Sequence, residues 1–177
     1  MTKENMTINR EDGTVVFNNA LVPGGNWRNF AGMPTKYKPT NTERYFHIFL
    51  TDEEARRLED LGWNVKRTKH ENPSEPQQAY LQVFIKLDVS PRLQPRIWQT
   101  RKKGRPILMD ADLINQLDSD DIERCKLQIR PYDWTLATGK SGRKAFVKQM
   151  FVTIVEDDFA AEFFDEGDEE EEAPFAE

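Results

Sequence analysis

Eleven residues, AYLQVFIKLDV from Ala79 to Val89, set the first limit on the fold. Apolar Leu81, Val83, Ile85 and Leu87 alternate with Gln82, Phe84 and Lys86. A period of two marks a strand with one face turned inward, because successive side chains leave opposite sides of an extended backbone. A chain with such a strand needs partners for both of its edges, and the rest of the sequence offers them.

TVVFNNALV (Thr14 to Val22), RYFHIFL (Arg44 to Leu50), PRIWQTR (Pro95 to Arg101), KLQIRPYDWTL (Lys126 to Leu136) and KAFVKQMFVTIV (Lys144 to Val155) are rich in β-branched and aromatic residues and read as further strands. TGKSGRK supplies the glycine and serine of a hairpin turn between the last two. One helix stands out in TDEEARRLEDLGW, where Thr51 and Glu54 form a capping box, acids fill the first turn and Gly62 closes the end. DADLINQLDSDDIERC predicts a second short helix or helical turn with Leu113, Ile114 and Leu117 inward. The expectation is a mainly β fold, a five-stranded antiparallel barrel of the oligonucleotide-binding kind with one or two short helices. Strand number alone also allows another β-barrel or a sandwich.

Charge divides the chain. Of 31 acids, twelve lie beyond Val155 with no base among them, so residues 1–155 hold 19 acids against all 25 bases. A body of about +6 thus precedes a tail of −12. Like charges this dense bury too little surface to offset the entropy of ordering, so residues 156–177 are expected to be a disordered acidic tail and residues 1–155 the one folded domain. No apolar run approaches the ~20 residues that span a bilayer, and MTKENMTINRED has no apolar segment behind its charges, which predicts no membrane anchor or signal peptide and a cytoplasmic protein. The single cysteine, Cys125, fits a reducing compartment and a buried position.

Catalysis finds no constellation. A divalent-metal nuclease needs converging carboxylates, but Asp110, Asp118 and Asp120 are better placed as helix caps and first-turn charges. His47, in a strand, and His70, in a loop, share no ligand spacing, and GKSGRK departs from the phosphate-loop pattern. Neither metal nor cofactor is called for. An acidic interaction protein or nucleic-acid mimic is the alternative from another class, although a mimic keeps its acids on folded scaffold.

Binding of single-stranded nucleic acid asks for cations along a phosphate path and rings on which bases stack. Those types interleave at Trp27, Arg28, Lys36, Tyr37 and Lys38, at Arg96, Trp98, Arg101, Lys102, Lys103 and Arg105, and at Arg130, Tyr132 and Trp134. Phe46, Phe49, Trp63, Phe146 and Phe151 are assigned to the core.

FNNALV, GWNVK, AYLQVFIKL, IRPYDW and FVKQMFVTI, in order from Val15 to Ile154 and followed by acids, resemble the single-stranded DNA-binding proteins of tailed bacteriophages. The resemblance implies an oligonucleotide-binding fold and a non-enzymatic protein that coats and protects DNA during replication and recombination, in the bacterial host cytoplasm. It leaves a homodimer open. The ending GDEEEEAPFAE is similar to the acidic tails of bacterial single-stranded DNA-binding proteins, which dock on partner enzymes. It implies recruitment of replication or recombination enzymes through Glu169, Glu170, Glu171, Glu172, Pro174 and Phe175, with the acids also covering the DNA groove when it is empty. Ala176 and Glu177 follow Phe175, so the phenylalanine does not carry the terminal carboxylate.

Overall fold

The computed structural model describes residues 4–69, 72, 74–100 and 104–155. Its elements are β1 (Met6–Ile8), β2 (Val15–Phe17), β3 (Arg28–Asn29), β4 (Arg44–Leu50), α1 (Asp52–Asp60), β5 (Val65–Arg67), β6 (Ala79–Ile85), β7 (Arg96–Thr100), β8 (Ile107–Leu108), α2 (Ala111–Gln116), β9 (Ile122–Thr135) and β10 (Ser141–Ile154). The class is mainly β, as the alternation predicts.

The long β9–β10 hairpin is the spine, antiparallel from Ser141 opposite Thr135 to Ile154 opposite Ile122. Val147 faces Ile129 and Gln149 faces Gln128, so Lys148 is an extra residue, a β-bulge. The other edge of β10 receives two strands in succession, β6 at Ala145–Phe146 and β7 from Gln149 to Thr153, both parallel to it. β4 pairs antiparallel with all of β6, and β5 takes the start of the opposite β6 edge. Among the described residues ten strands therefore replace the five expected, and two of the strand pairings are parallel rather than antiparallel. The additions are pieces of two or three residues, too short to carry a pattern, and the parallel contacts join segments far apart in sequence.

The sheet is not closed. Its path runs β1-β2-β9-β10-β6-β4-β3, and the segment after β2 reaches across between the β9 and β4 edges. There the Ala20 N–H donates to the Cys125 carbonyl (2.7 Å) and the Phe49 N–H to the Leu21 carbonyl (2.8 Å).

One face of this curved sheet makes the core. Phe46, Ile48 and Leu50 of β4, Leu81, Val83 and Ile85 of β6, Leu127 and Ile129 of β9, and Val147, Met150 and Val152 of β10 are all buried. Ala55 and Leu58 of α1 and Ile114 and Leu117 beside α2 pack against them. Both Thr51–Glu54 capping bonds form, and Gly62, just past the C-cap Leu61, closes the end with a positive φ of 89° and its N–H donating to the Glu59 carbonyl. α2 is shorter than its segment suggested, and Ile122 to Cys125, read as helical, open β9 because their apolar positions pair with β10. Cys125 is buried, which pushes its thiol pKa up to about 12. No helix among the described residues is long and apolar enough to cross a membrane.

Candidate nucleic-acid interface

Residues that alternate with the core positions face the other way, and many are aromatic. β4 presents Tyr45, His47 and Phe49; β6 presents Tyr80 and Phe84; β10 presents Phe146; all are half-buried. Aromatic rings left on an outer sheet surface offer flat apolar area to a ligand with flat apolar faces.

They fall into three groups. In the first, Trp27 comes from a 3-10 turn (Gly25–Trp27) and meets His47, Phe49 and Tyr80 near edge-on, with centroids 5.3, 5.3 and 4.9 Å away. His47 Nδ1–H donates to the Trp27 carbonyl at 2.8 Å. Burial lowers the His47 pKa, the Trp27 carbonyl opposes the shift and Lys66 adds to it, so the ring is neutral at pH 7. Tyr45 links this group to the second, 5.8 Å from His47 and 6.1 Å from Phe84.

The second group lines a cleft of about 680 Å³ between the start of β4, the end of β6 and the β9–β10 hairpin. Phe146 lies 5.9 Å from Phe84 and 5.5 Å, edge to face, from Tyr132. Arg130 sits over the Phe146 ring at 5.1 Å and Lys144 over the Phe84 ring at 4.9 Å. Arg44 and Lys86 also line the cleft, with Arg44 pinned by the Phe30 carbonyl and Asn115. The third group is Trp98 and Phe151, paired in register and nearly parallel at 6.3 Å, with Lys126 opposite Phe151 on β9.

Of the residues singled out from sequence, Trp27, Trp98, Arg130 and Tyr132 lie in these groups. Lys36, Tyr37 and Lys38 form an exposed loop, with Tyr37 90% accessible. Arg96 and Arg105 are exposed. Trp134 is on the same face, its indole laid over Gly142, where an added Cβ would come within 2.5 Å of the ring. Arg28 is placed otherwise: its guanidinium donates to the carbonyls of Val22, Pro23, Leu117 and Asp120, leaving it to hold the chain together rather than to meet phosphate. Arg101, Lys102, Lys103 and His70, like the tail residues Glu169 to Glu172, Pro174 and Phe175, lie outside the described residues.

Phe46 and Trp63 are core residues as expected, but Phe49, Phe146 and Phe151 are not. They stand out of phase with the buried positions of their strands, so they belong to the outer face. Sequence reasoning also passed over Tyr45, Tyr80, Phe84 and Lys144. Their signal was the alternation already read in β6, which sets Phe84 opposite Leu81, Val83 and Ile85.

The acids have structural partners. Asp110 caps α2 by accepting from the Leu113 N–H. Asp118 is no cap: its carboxylate accepts from the Phe30 and Ala31 N–H groups at 2.6 and 3.1 Å and staples that segment to the end of α2. Asp120 gives Arg28 its backbone carbonyl, and burial raises its own carboxyl pKa. No group of three or more His, Cys, Asp or Glu that could hold a metal occurs among the described residues.

An open, mainly β sheet with an outward aromatic and cationic face is the architecture of a single-strand binder. The family model described as "Putative phage ssDNA-binding domain" matches residues 16–173, and the chain belongs to that family. Among solved structures, the C-terminally truncated single-stranded DNA-binding protein from bacteriophage Enc34 aligns over 89% of this chain and 94% of its own, at 7% identity and a TM-score of 0.50, a likeness of fold. The same Enc34 protein in complex with ssDNA aligns over 89% and 94% at 8% identity with a TM-score of 0.49. The single-stranded DNA-binding protein gp2.5 of bacteriophage T7 aligns over 82% and 94% at 9% identity with a TM-score of 0.37. No curated protein sequence matches the chain.

Proposed function

We propose that the protein binds single-stranded DNA without sequence preference along its outer sheet face, bases stacking on the rings and phosphates meeting the interleaved cations. The observation that carries this reading is the cleft, where Phe84, Phe146 and Tyr132 stand among Arg130, Lys144 and Lys86. A π-face is common to every base, so such a surface grips strands of any sequence. Membership of the family supports single-stranded DNA as the ligand. Binding follows from positioned rings and charges alone, so the role is that of a coating protein for unwound DNA in phage replication and recombination, not that of an enzyme.

Residues 1–155 serve as the binding domain in this reading. The Trp27 and Trp98 groups extend the path beyond the cleft, Tyr37, Lys36 and Lys38 add a loop contact, and Arg96, Arg105, Arg101, Lys102 and Lys103 supply further cations for phosphates. The twelve acids of residues 156–177 compete for the same cations when DNA is absent and, once displaced, offer Glu169 to Glu172, Pro174 and Phe175 to replication or recombination enzymes.

Titration with an unstructured oligonucleotide, followed by tryptophan fluorescence over a series of salt concentrations, tests the reading. The expected outcome is quenching without strand cleavage, with log K falling against log salt at about −0.7 per phosphate neutralised. Removing residues 156–177 changes the formal charge from −6 to +6 and is expected to tighten binding most at low salt, where screening is weakest. Affinity indifferent to salt would overturn the proposal, and identical binding by the two forms would remove the tail from it.

A further inference from the structure

The geometry points to an exchange of partners at the cleft: in the DNA-free protein Arg130 and Lys144 cap the rings of Phe146 and Phe84, and a strand binds by drawing each cation onto a phosphate and laying a base on the ring it uncovers. This rests on the reading of the cleft as the single-strand site and adds how that site works.

Both cations lie within the ~6 Å over which a ring face attracts a cation. A stacked base sits about 3.5–4 Å from the ring, the contact distance of carbon atoms, inside the space each cation now occupies. Ring, base and capping cation cannot all keep their places.

Nothing else holds the caps. Among the described residues neither the Arg130 nor the Lys144 side chain has a hydrogen-bond or ion-pair partner, and Arg130 Nε is buried with its N–H unmatched. Arg143 provides the contrast. It lies 5.7 Å from the Trp63 ring, yet its guanidinium is tied to the Asp133 carboxylate at 2.7 Å and to the Leu61 carbonyl at 2.8 Å. That cation is already neutralised and fixed. The two in the cleft form no ion pair, although Glu43 and Asp88 also line it, and one of them has a donor that burial penalises until it finds an acceptor. A phosphate oxygen supplies a charge-assisted bond stronger than the ring contact it replaces.

The exchange leaves a mark that a plain phosphate contact does not. Losing an ordinary phosphate-binding cation weakens affinity at every salt concentration. Losing a cap also spares the strand the work of displacing it, and that gain survives when salt has erased the phosphate term. In the full-length protein, Arg130→Gln and Lys144→Gln are each expected to make the salt slope for a poly-dT oligonucleotide shallower by about 0.7, with weaker binding than the parent at low salt and tighter binding at high salt, so that the lines cross. As a second readout, the Arg130 Nε–H signal in a proton–nitrogen NMR spectrum is expected upfield in the free protein from the ring current of Phe146. It should move downfield on saturation with poly-dT, and Phe146→Leu should place it downfield without DNA. Variants weaker than the parent at all salt concentrations, together with an Arg130 signal that DNA leaves in place, would show that the cations stay on their rings and overturn the exchange while leaving the cleft as the site. Failure of the parent protein to bind poly-dT would overturn both.

Discussion

Arg28 and Arg130 are both half-buried strand arginines within two positions of an aromatic residue in the sequence, and they end in opposite states. Around Arg28 the ends of the β2–β3 connection and of α2 turn four carbonyls inward, and the guanidinium satisfies them all. Burial lowers its pKa, opposed by Asp121, Asp118 and Asp120, whose charges favour the cation. Arg130 lies on a ring face, with its Nε–H unmatched. The same side chain is cement in one place and an unspent charge in the other. What separates them is whether the fold brings acceptors to the donors, which no count of neighbouring cations and rings reveals.

The contrast breaks most visibly through stability. Arg28→Met removes charge-assisted bonds to four carbonyls and leaves them short of donors, so the folded state is expected to lose about 2–4 kcal/mol by chemical denaturation. Protein that remains folded should bind oligonucleotide as the parent does. A stable Arg28→Met protein with weakened binding would move Arg28 back among the phosphate contacts. Next comes Phe146→Ala, expected to cost about 1–3 kcal/mol of oligonucleotide affinity, the range for one stacked base, with circular dichroism unchanged. Normal binding by this variant would take the cleft out of the DNA path.

The smallest effect sharpens the comparison at His47, whose carbonyl partner, Trp27, does not outweigh burial. Its folded pKa lies below the unfolded value near 6.5. As pH falls through that value the unfolded chain takes up a proton that the folded ring resists, so stability declines toward the folded pKa and is unaffected at pH 8. The Tm difference between parent and His47→Gln proteins should therefore vary between pH 8 and pH 5 in the direction of parent destabilisation at low pH. A constant difference would mean that the Trp27 bond cancels the effect of burial, and a difference moving the other way that the bond governs the ring.

The sequence disclosed the fold where the period was local. RYFHIFL is a strand over Arg44–Leu50 as read, the capping box at Thr51 forms both of its bonds, and TGKSGRK closes the hairpin of β9 and β10. The parallel docking of β6 and β7 on β10 was invisible because it pairs Phe84 with Phe146 and Trp98 with Phe151, residues more than fifty positions apart. The site was legible in kind and partly misplaced in detail. Tyr132 and Arg130 lie in the cleft, whereas Phe49, Phe146 and Phe151 were assigned to the core because a large apolar ring in a strand usually packs inside. Counting phase from the buried partners Ile48, Val147 and Val152 would have turned all three outward.

The bulge at Lys148 governs more than the local twist of β10. Side chains along a regular strand change sides at every step, so two residues five apart lie on opposite surfaces. Phe146 and Phe151 are five apart, yet both face out, while Val147 and Met150, three apart, both face in. The supernumerary lysine resets the parity of the strand midway. One inserted residue thereby lets a single strand serve two aromatic stations on one surface while feeding a single core beneath, and without it either the cleft or the Trp98 station would lose its ring to the interior.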